Sequence, residues 1–103
     1  MNIEIAPIEY QKALNWYDAN LYCFSLNIDG KIGWRLPTVK EEIWLKRQSI
    51  PSSDEWYWTA DVQGDSVVCY NWHSELGGHV HKEQNYCYAR PVRDLCGETE
   101  KIT

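Results

Sequence analysis

The hydrophobic periodicity of this chain changes near its midpoint. In the first half, six apolar residues follow one another at alternating spacings of four and three, which places them on one face of an α-helix. They are Tyr10, Leu14, Tyr17, Leu21, Phe24 and Ile28. Pro7 suits the first turn of a helix, and Asp29-Gly30 suits its end. The sequence therefore predicts a long first helix between these two signals.

A second, shorter helix is predicted from Val39 to Gln48. Pro37 disfavours helical conformation at the residue before it, so Leu36 marks a boundary between an extended stretch and this helix. Thr38 and Glu41 have the spacing of a capping box, in which each side chain satisfies the backbone N–H of the other residue.

The second half of the chain has the aromatic and β-branched composition of strands. Gln63-Gly64-Asp65 and Gly77-Gly78 read as turns between them, and Pro91 places the last strand near an edge or a bulge. The four predicted strands are Glu55–Ala60, Ser66–Trp72, a strand that begins at His79, and Tyr86–Arg93. Two helices followed by an antiparallel meander predict an α+β domain, with both helices packed on one small sheet.

The length and the aromatic content favour one small, well-packed domain. A chain of 103 residues has room for a single domain, and we expect its core to span roughly residues 8–95. Six Trp and seven Tyr supply large apolar areas whose polar tips need hydrogen-bond partners. A domain this small cannot bury all of these rings, so some of them are expected at the surface.

Charge and cysteine usage exclude some classes of function. The net charge of −5 argues against nucleic-acid binding, which needs a basic face. An acidic N-terminus without a signal-peptide pattern, and the lack of a long apolar run, predict a cytoplasmic protein without membrane contact. The four cysteines (Cys23, Cys69, Cys87 and Cys96) contain no C-x-x-C pair. We expect reduced thiols in the cytosol, with two disulfides as the alternative for an exported chain.

An ordered set of motifs resembles a known family. The motifs are Trp16–Ala19, Cys23, Gly33–Thr38 with Glu41 and Glu42, Tyr57–Thr59 and Ala89–Arg93. Together they cover roughly residues 13–94 and look like the DUF1566 family, also called the Lcl C-terminal domain family. The resemblance implies a C-type-lectin-like fold without a general enzymatic activity. A free-standing copy of this length looks like a phage or mobile-element product.

The residues of these motifs are interpreted as structural. Trp34 and Leu36 are expected to fill the core between helix and sheet. Arg35 is expected to bind a carboxylate or a backbone carbonyl with its planar guanidinium. Arg90 and Arg93 are expected to act in the same way. The full set of predicted structural residues is Trp34, Arg35, Leu36, Pro37, Arg90, Pro91 and Arg93.

The search for a catalytic or metal site gives weak signals only. Asp61, Asp65 and Glu75 are too scattered to bind calcium, which needs six to eight oxygen ligands. His79 and His81 alternate on a strand and would share a face, and His73 with a cysteine could complete a zinc site. Three histidines near one hairpin arise easily, so we predict neither a metal nor another cofactor. No oxyanion hole accompanies any Cys–His pair, so we do not expect an enzyme.

The aromatic strands are the best candidate for a binding surface. Exposed Trp and Tyr anchor protein–protein interfaces and also serve as stacking platforms for sugars. The candidate residues are Trp56, Trp58, Tyr70, Trp72, His73, Glu75, His79 and His81. The leading hypothesis is an intracellular protein-binding inhibitor or adaptor, aimed at a host protein if the chain is phage-encoded. The alternatives are a carbohydrate-binding or adhesive module and a subunit that self-associates through its aromatic face.

Overall fold

A computed structural model describes residues 1–95, so that Cys96 lies outside the described part of the chain. Helix α1 covers Trp16–Ser25 and α2 covers Val39–Lys46, and Ile8–Tyr10 forms a short 3₁₀ helix. The strands are β1 (Ile3–Ile5), β2 (Lys12–Ala13), β3 (Trp34–Arg35), β4 (Trp56–Gln63), β5 (Ser66–Asn71), β6 (Leu76–His81), β7 (Tyr88–Ala89) and β8 (Val92–Asp94). Neither helix is long and apolar enough to cross a membrane. The α+β class predicted from the sequence is confirmed.

The described strands form two sheets, where the sequence predicts one. Three strands pair in the order β1-β8-β3, and five pair in the order β2-β7-β4-β5-β6. The pairings are antiparallel except between β4 and β7. Pro91 explains the division: it has no N–H to donate, so the predicted last strand breaks there into β7 and β8, which join different sheets.

Helix α1 is shorter than predicted, and it buries the face opposite to the predicted apolar row. It begins only at Trp16, because the side chain of Asn15 accepts a hydrogen bond from the backbone N–H of Asp18 at 2.8 Å and caps the helix there. The buried residues of α1 are the small Ala19 and Cys23. Of the six residues of the periodic pattern, the three within α1 lie on the opposite, solvent-facing side, whereas Tyr10, Leu14 and Ile28 lie outside the helix and pack in the core.

Helix α2 begins where the sequence predicts. The side chain of Thr38 accepts from the backbone N–H of Glu41 at 3.2 Å, and the carboxylate of Glu41 accepts from the backbone N–H of Thr38 at 2.8 Å. This confirms the capping box, and the helix ends at Lys46, two residues before the predicted end.

The turn between β5 and β6 lies earlier than predicted. Gly77 and Gly78 are inside β6, where they pair with Tyr70 and Cys69. The chain reverses instead between Asn71 and Leu76, with a left-handed φ of 59° at Glu75. The polar turn residues therefore close the hairpin, while Gly78 leaves room on the sheet for the ring of Trp56.

Two apolar clusters form the core. The first lies between α1 and the five-stranded sheet and contains Trp34, Leu36 and Trp58, so both predicted core residues of the Trp34–Leu36 segment are buried. The second lies between α2 and the other side of that sheet, and Tyr57 and Trp72 are its largest members. Because the five-stranded sheet is covered on both faces, its free surface is mainly at the β6 edge.

Candidate functional site

Three residues of the predicted aromatic surface belong to the core instead. Trp58, Tyr70 and Trp72 are buried. The indole N–H of Trp58 donates to the backbone carbonyl of Leu14 at 2.7 Å, and that of Trp72 donates to the carboxylate of Glu42 at 2.7 Å. These internal partners satisfy the polar tips that would otherwise keep the rings at the surface. These three side chains therefore expose little area, although Trp72 together with His73 also lines a pocket at the surface.

Trp56 remains at the surface, beside a hollow of about 260 Å³. Its side chain is 37% exposed and its ring packs on Gly78, where an added Cβ would lie 3.6 Å from Cζ3 of Trp56. The residues that line the hollow are Trp56, Gly78, His79, Val80, Tyr86 and Cys87. Tyr86 is not among the predicted binding residues; the sequence places it at the start of the last strand, whereas in the structure it lies in the loop two residues before β7.

The polar candidates lie around the β5–β6 hairpin without forming a cluster. His79 and His81 are exposed on one face of β6, opposite Val68 and Ser66, and His73 lies in the turn at the other end of the strand. Glu75 is exposed and its carboxylate pairs with Lys46 at 2.8 Å. Within residues 1–95, no three His, Cys, Asp or Glu side chains are grouped closely enough to hold a metal ion.

Arg35 binds two carboxylates. Its Nη1 and Nη2 each donate to Glu41 at 2.8 Å, while Nε and Nη2 donate to Asp94 at 3.0 and 2.7 Å. The guanidinium lowers the pKa of both carboxyl groups through these hydrogen bonds. Arg35 thus ties the start of α2 to β8, which is the kind of contact expected from the sequence.

Arg90 and Glu42 form a second polar arrangement, in the interior. Arg90 is buried, and its Nε and Nη1 donate to the carbonyls of Ala6 and Pro51 at 3.0 and 2.9 Å. Burial raises the pKa of Glu42 to about 8, although its hydrogen bond from Trp72 and the charge of Arg90 favour the carboxylate. One oxygen of Glu42, Oε2, has no hydrogen-bond partner among the described residues. Arg90, Glu42 and Trp72 are called the buried polar cluster below.

The remaining motif arginine, Arg93, is half-buried and pairs with a surface carboxylate. Its Nε donates to Glu4 at 2.8 Å, and its guanidinium lies over the ring of Trp34, 5.9 Å from the centroid. The contact joins β8 to β1. All three motif arginines therefore connect separate parts of the chain, and their guanidinium groups are engaged with protein partners.

The described cysteines are buried. The sulfur atoms of Cys69 and Cys87 are 3.3 Å apart between β5 and the segment before β7, and Cys23 lies in α1. Burial raises the pKa of Cys23 to about 12, and burial together with the neighbouring thiol raises that of Cys69. A nucleophilic cysteine needs an accessible thiol with a low pKa. Cys23 and Cys69 do not meet that requirement.

The solvent side of α1 carries three of the nine large apolar side chains that are exposed in the described part of the chain. Tyr17, Leu21 and Phe24 are 51%, 64% and 83% exposed. Their spacing of four and three residues aligns them along one side of the helix. These three residues are called the α1 face below. The sequence pattern predicts that they share one face of a helix, and that alignment is what the structure shows.

The opposite side of α1 fixes the helix to the body of the protein. The indole N–H of Trp16 donates to the carbonyl of Thr59 at 3.1 Å, and the hydroxyl of Tyr22 donates to the carbonyl of Tyr10 at 2.7 Å. Ala19 packs in the first core cluster between these two anchors. The α1 face is therefore presented on a helix that is held on its other side.

Comparison with models of known protein families finds no match for this chain, and comparison with curated proteins finds none either.

Proposed function

We propose that this chain is a non-enzymatic protein-binding module, and that the α1 face is the part that contacts the partner. The observation that carries the proposal is the exposure of Tyr17, Leu21 and Phe24 in one row on a helix whose other side is anchored. Large apolar side chains in a contiguous exposed patch are typical of interaction sites in soluble proteins. Aromatic residues are also enriched among those that dominate binding energy.

The row has the geometry of a helix that lies in a partner's groove. Residues i, i+4 and i+7 are the anchors of helix-in-groove recognition, and Tyr17, Leu21 and Phe24 have this spacing. Since α1 is already folded and held by Trp16 and Tyr22, little ordering is needed at the moment of binding. The proposed partner is therefore a protein with an apolar groove that accepts about two helical turns.

The biological setting is proposed from the family resemblance. The WRLPT segment buries Trp34 and Leu36 and places Arg35 between two carboxylates, and two helices flank an aromatic sheet. These features support membership of the DUF1566 family and a C-type-lectin-like fold as parts of the proposal. In that setting the chain would act in the cytoplasm as an inhibitor or adaptor, with a host protein as its target if it is phage-encoded.

A carbohydrate-binding function is the second candidate, and the hollow beside Trp56 favours it. Trp56 and Tyr86 both line this hollow and are partly exposed, so a sugar ring could stack there. The residues that line it carry no carboxylate or amide side chain. Such polar groups fix the orientation of a ligand in most small-molecule sites. The hollow is therefore less suited to a sugar than the α1 face is to a protein.

The test is an affinity pull-down of the tagged full chain from a lysate of its native or host cell, with the captured proteins identified by mass spectrometry. We expect one protein in near-stoichiometric amount with the wild type. The double variant Leu21→Gln/Phe24→Gln should lose it, because both side chains are exposed anchors and glutamine keeps the helix. The matched control Trp56→Ala should retain it.

Two outcomes would contradict this proposal. Capture of the same protein by the Leu21→Gln/Phe24→Gln variant would remove the α1 face from the interface. The carbohydrate-binding alternative would be favoured if Trp56→Ala lost the captured protein and if, in addition, the wild type bound a glycan array and Trp56→Ala did not.

A further inference from the structure

Strand β6 is an exposed edge without the features that normally protect one. It is the last strand in the order of the five-stranded sheet, and among residues 1–95 it pairs with β5 alone. Its six residues, Leu76–His81, include no Lys, Arg, Asp, Glu or Pro. The pairing of β6 with β5 runs through all six residues without a bulge. Natural edge strands are usually short, charged, bulged or interrupted by proline, because a free edge is a template for another strand.

The other sheet edges of the described chain are protected. The opposite edge of the same sheet is β2, which has two residues, one of them Lys12. The edges of the three-stranded sheet are β1, which carries Glu4, and β3, which has two residues, one of them Arg35. An unprotected edge of six residues is therefore particular to β6 among these four.

We propose that β6 pairs antiparallel with β6 of a second copy of this chain, which joins the two five-stranded sheets into one sheet of ten strands. The inference does not rest on the proposed function, since it concerns a different surface from the α1 face.

The sequence of β6 is complementary to itself in one antiparallel register. Leu76, Gly78 and Val80 share one face of the strand, and Gly77, His79 and His81 share the other. A two-fold axis perpendicular to the joined sheet keeps the same face of β6 on the same side of that sheet in both copies. Such an axis must lie midway between one residue and the same residue of the second copy. An axis at Gly78 places Leu76 of one copy opposite Val80 of the other, and Gly77 opposite His79.

The exposure of the β6 side chains is compatible with this register. Leu76 is 59% exposed, and opposite Val80 it would cover an apolar side chain on the side of the sheet that carries Trp56. The two copies of Gly78 meet at the axis, where the absence of a side chain allows close approach. Since β6 contains no Lys, Arg, Asp or Glu, no like charges of these residues oppose each other in the ladder itself.

The interface is small, which sets the concentration at which it forms. A strand of six residues is about 20 Å long, and edge pairing with a few side chains lies at the lower end of specific interfaces. The net charge of −5 on each copy adds repulsion that salt screens. We therefore expect a dimer that dissociates in the micromolar range rather than an obligate one.

The experiment is sedimentation equilibrium of the full chain at physiological salt, from about 5 µM to about 500 µM. We expect the mass of the wild type to rise from 12.1 kDa toward twice that value. Leu76→Lys and, separately, His79→Lys should stay at the monomer mass over the whole range, since an edge lysine places two positive charges in the ladder. Both residues are exposed, so the monomer fold is kept, which far-ultraviolet circular dichroism checks.

The matched control is Leu21→Lys, which makes the same change at an equally exposed leucine on α1. It should dimerise as the wild type does. Hydrogen exchange provides a second readout: backbone amides of β6 should become more protected with increasing concentration, because strand pairing binds N–H groups that side-chain contact alone would leave free.

Three outcomes would overturn the inference. A wild type that remains at 12.1 kDa up to the highest concentration has no such dimer. Dissociation by Leu21→Lys, with the β6 variants unaffected, would place self-association on the α1 face. A dimer whose β6 amides exchange as fast as those of the monomer would not be formed by strand pairing. The first and third of these outcomes leave the lysate test of the α1 face unaffected, whereas the second would make a second copy the partner of that face.

Discussion

The buried polar cluster and the α1 face reverse the usual distribution of side chains. In the cluster, Arg90 and Glu42 carry ionisable groups in the interior, and each has internal hydrogen-bond partners. On the α1 face, Leu21 and Phe24 carry large apolar groups in solvent, and nothing in the described chain covers them. Burying ionisable groups and exposing apolar ones both cost free energy, so each region needs its own explanation.

The buried polar cluster and the α1 face differ in what they contribute to the stability of the folded chain. The buried polar cluster connects the N-terminal segment, α2 and the loop at Pro51, so its free-energy cost is offset within the folded chain. The α1 face makes no comparable contact, so an offset has to come from outside the chain. Substitutions in the cluster should therefore change the free energy of unfolding, whereas substitutions on the face should change binding. The four predictions below test that division.

The largest expected effect is that of Arg90→Met. The substitution keeps an apolar stem but leaves the buried carbonyls of Ala6 and Pro51 without their donor. The loss of these buried hydrogen bonds should lower the free energy of unfolding by about 3–5 kcal/mol. Urea denaturation at pH 7 measures it, with Arg47→Met at an exposed arginine as the control, which should change stability by less than about 0.5 kcal/mol. Equal effects at both positions would mean that Arg90 is not an internal anchor.

The next effect is a dependence of stability on pH that arises from Glu42. Burial raises its pKa to about 8 from an ordinary value of 4.5, so the folded protein keeps a proton that the unfolded chain releases between these values. The free energy of unfolding therefore falls as the pH rises through this range, by about 2.5 kcal/mol between pH 5 and pH 7.

Glu42→Gln isolates this titration. Glutamine can still accept from the indole of Trp72 and does not ionise, so the variant should show a flatter dependence on pH than the wild type. Denaturant midpoints at pH 5, 6 and 7 measure both curves. Parallel curves for the two proteins would assign the pH dependence to other groups.

Arg35→Lys should have a smaller effect, of about 1 kcal/mol, because the ion pairs of Arg35 are partly exposed and screened by solvent. Lysine keeps the charge and loses the planar pair of donors that binds Glu41. Because Arg35 lowers the pKa of Glu41 and of Asp94, the two ionised carboxylates stabilise the fold at pH values above their ordinary pKa values of 4.5 and 3.8. The difference from the wild type should therefore shrink as the pH falls below about 4, whereas Arg47→Lys should show no difference at any pH.

The sequence predicted the features that depend on neighbouring residues. The capping box of α2 needs only Thr38 and Glu41, and Pro91 predicts an edge or a bulge in the last strand, although not the division of that strand between two sheets. The class of the fold follows from the change in periodicity. Each of these features is fixed within a few residues, so a single sequence is enough to find it.

The sequence could not show which face of α1 is buried, because periodicity gives the alignment of side chains and not the side that meets the core. Tyr17, Leu21 and Phe24 are aligned as predicted, yet the small Ala19 and Cys23 pack inward. The sequence leaves open whether Trp58 and Trp72 lie in the core or at the surface for a related reason: their partners, Leu14 and Glu42, are distant in the sequence. Only the folded chain brings such groups together.

The smallest expected effect on stability, and the sharpest test of the comparison, is on α1 itself. Leu21→Gln and Phe24→Gln should each change the free energy of unfolding by less than about 0.5 kcal/mol, because both side chains are already in water and glutamine is a good helix former. Ala19→Gln on the same helix forces a larger, polar side chain into the core and should cost more than about 3 kcal/mol. Urea denaturation of the three variants side by side measures the contrast. A loss of 2 kcal/mol or more on substituting Leu21 or Phe24 would mean that the α1 face is held within the folded protein. The face would then be part of the fold, and the free energy of exposing it would no longer argue for a partner.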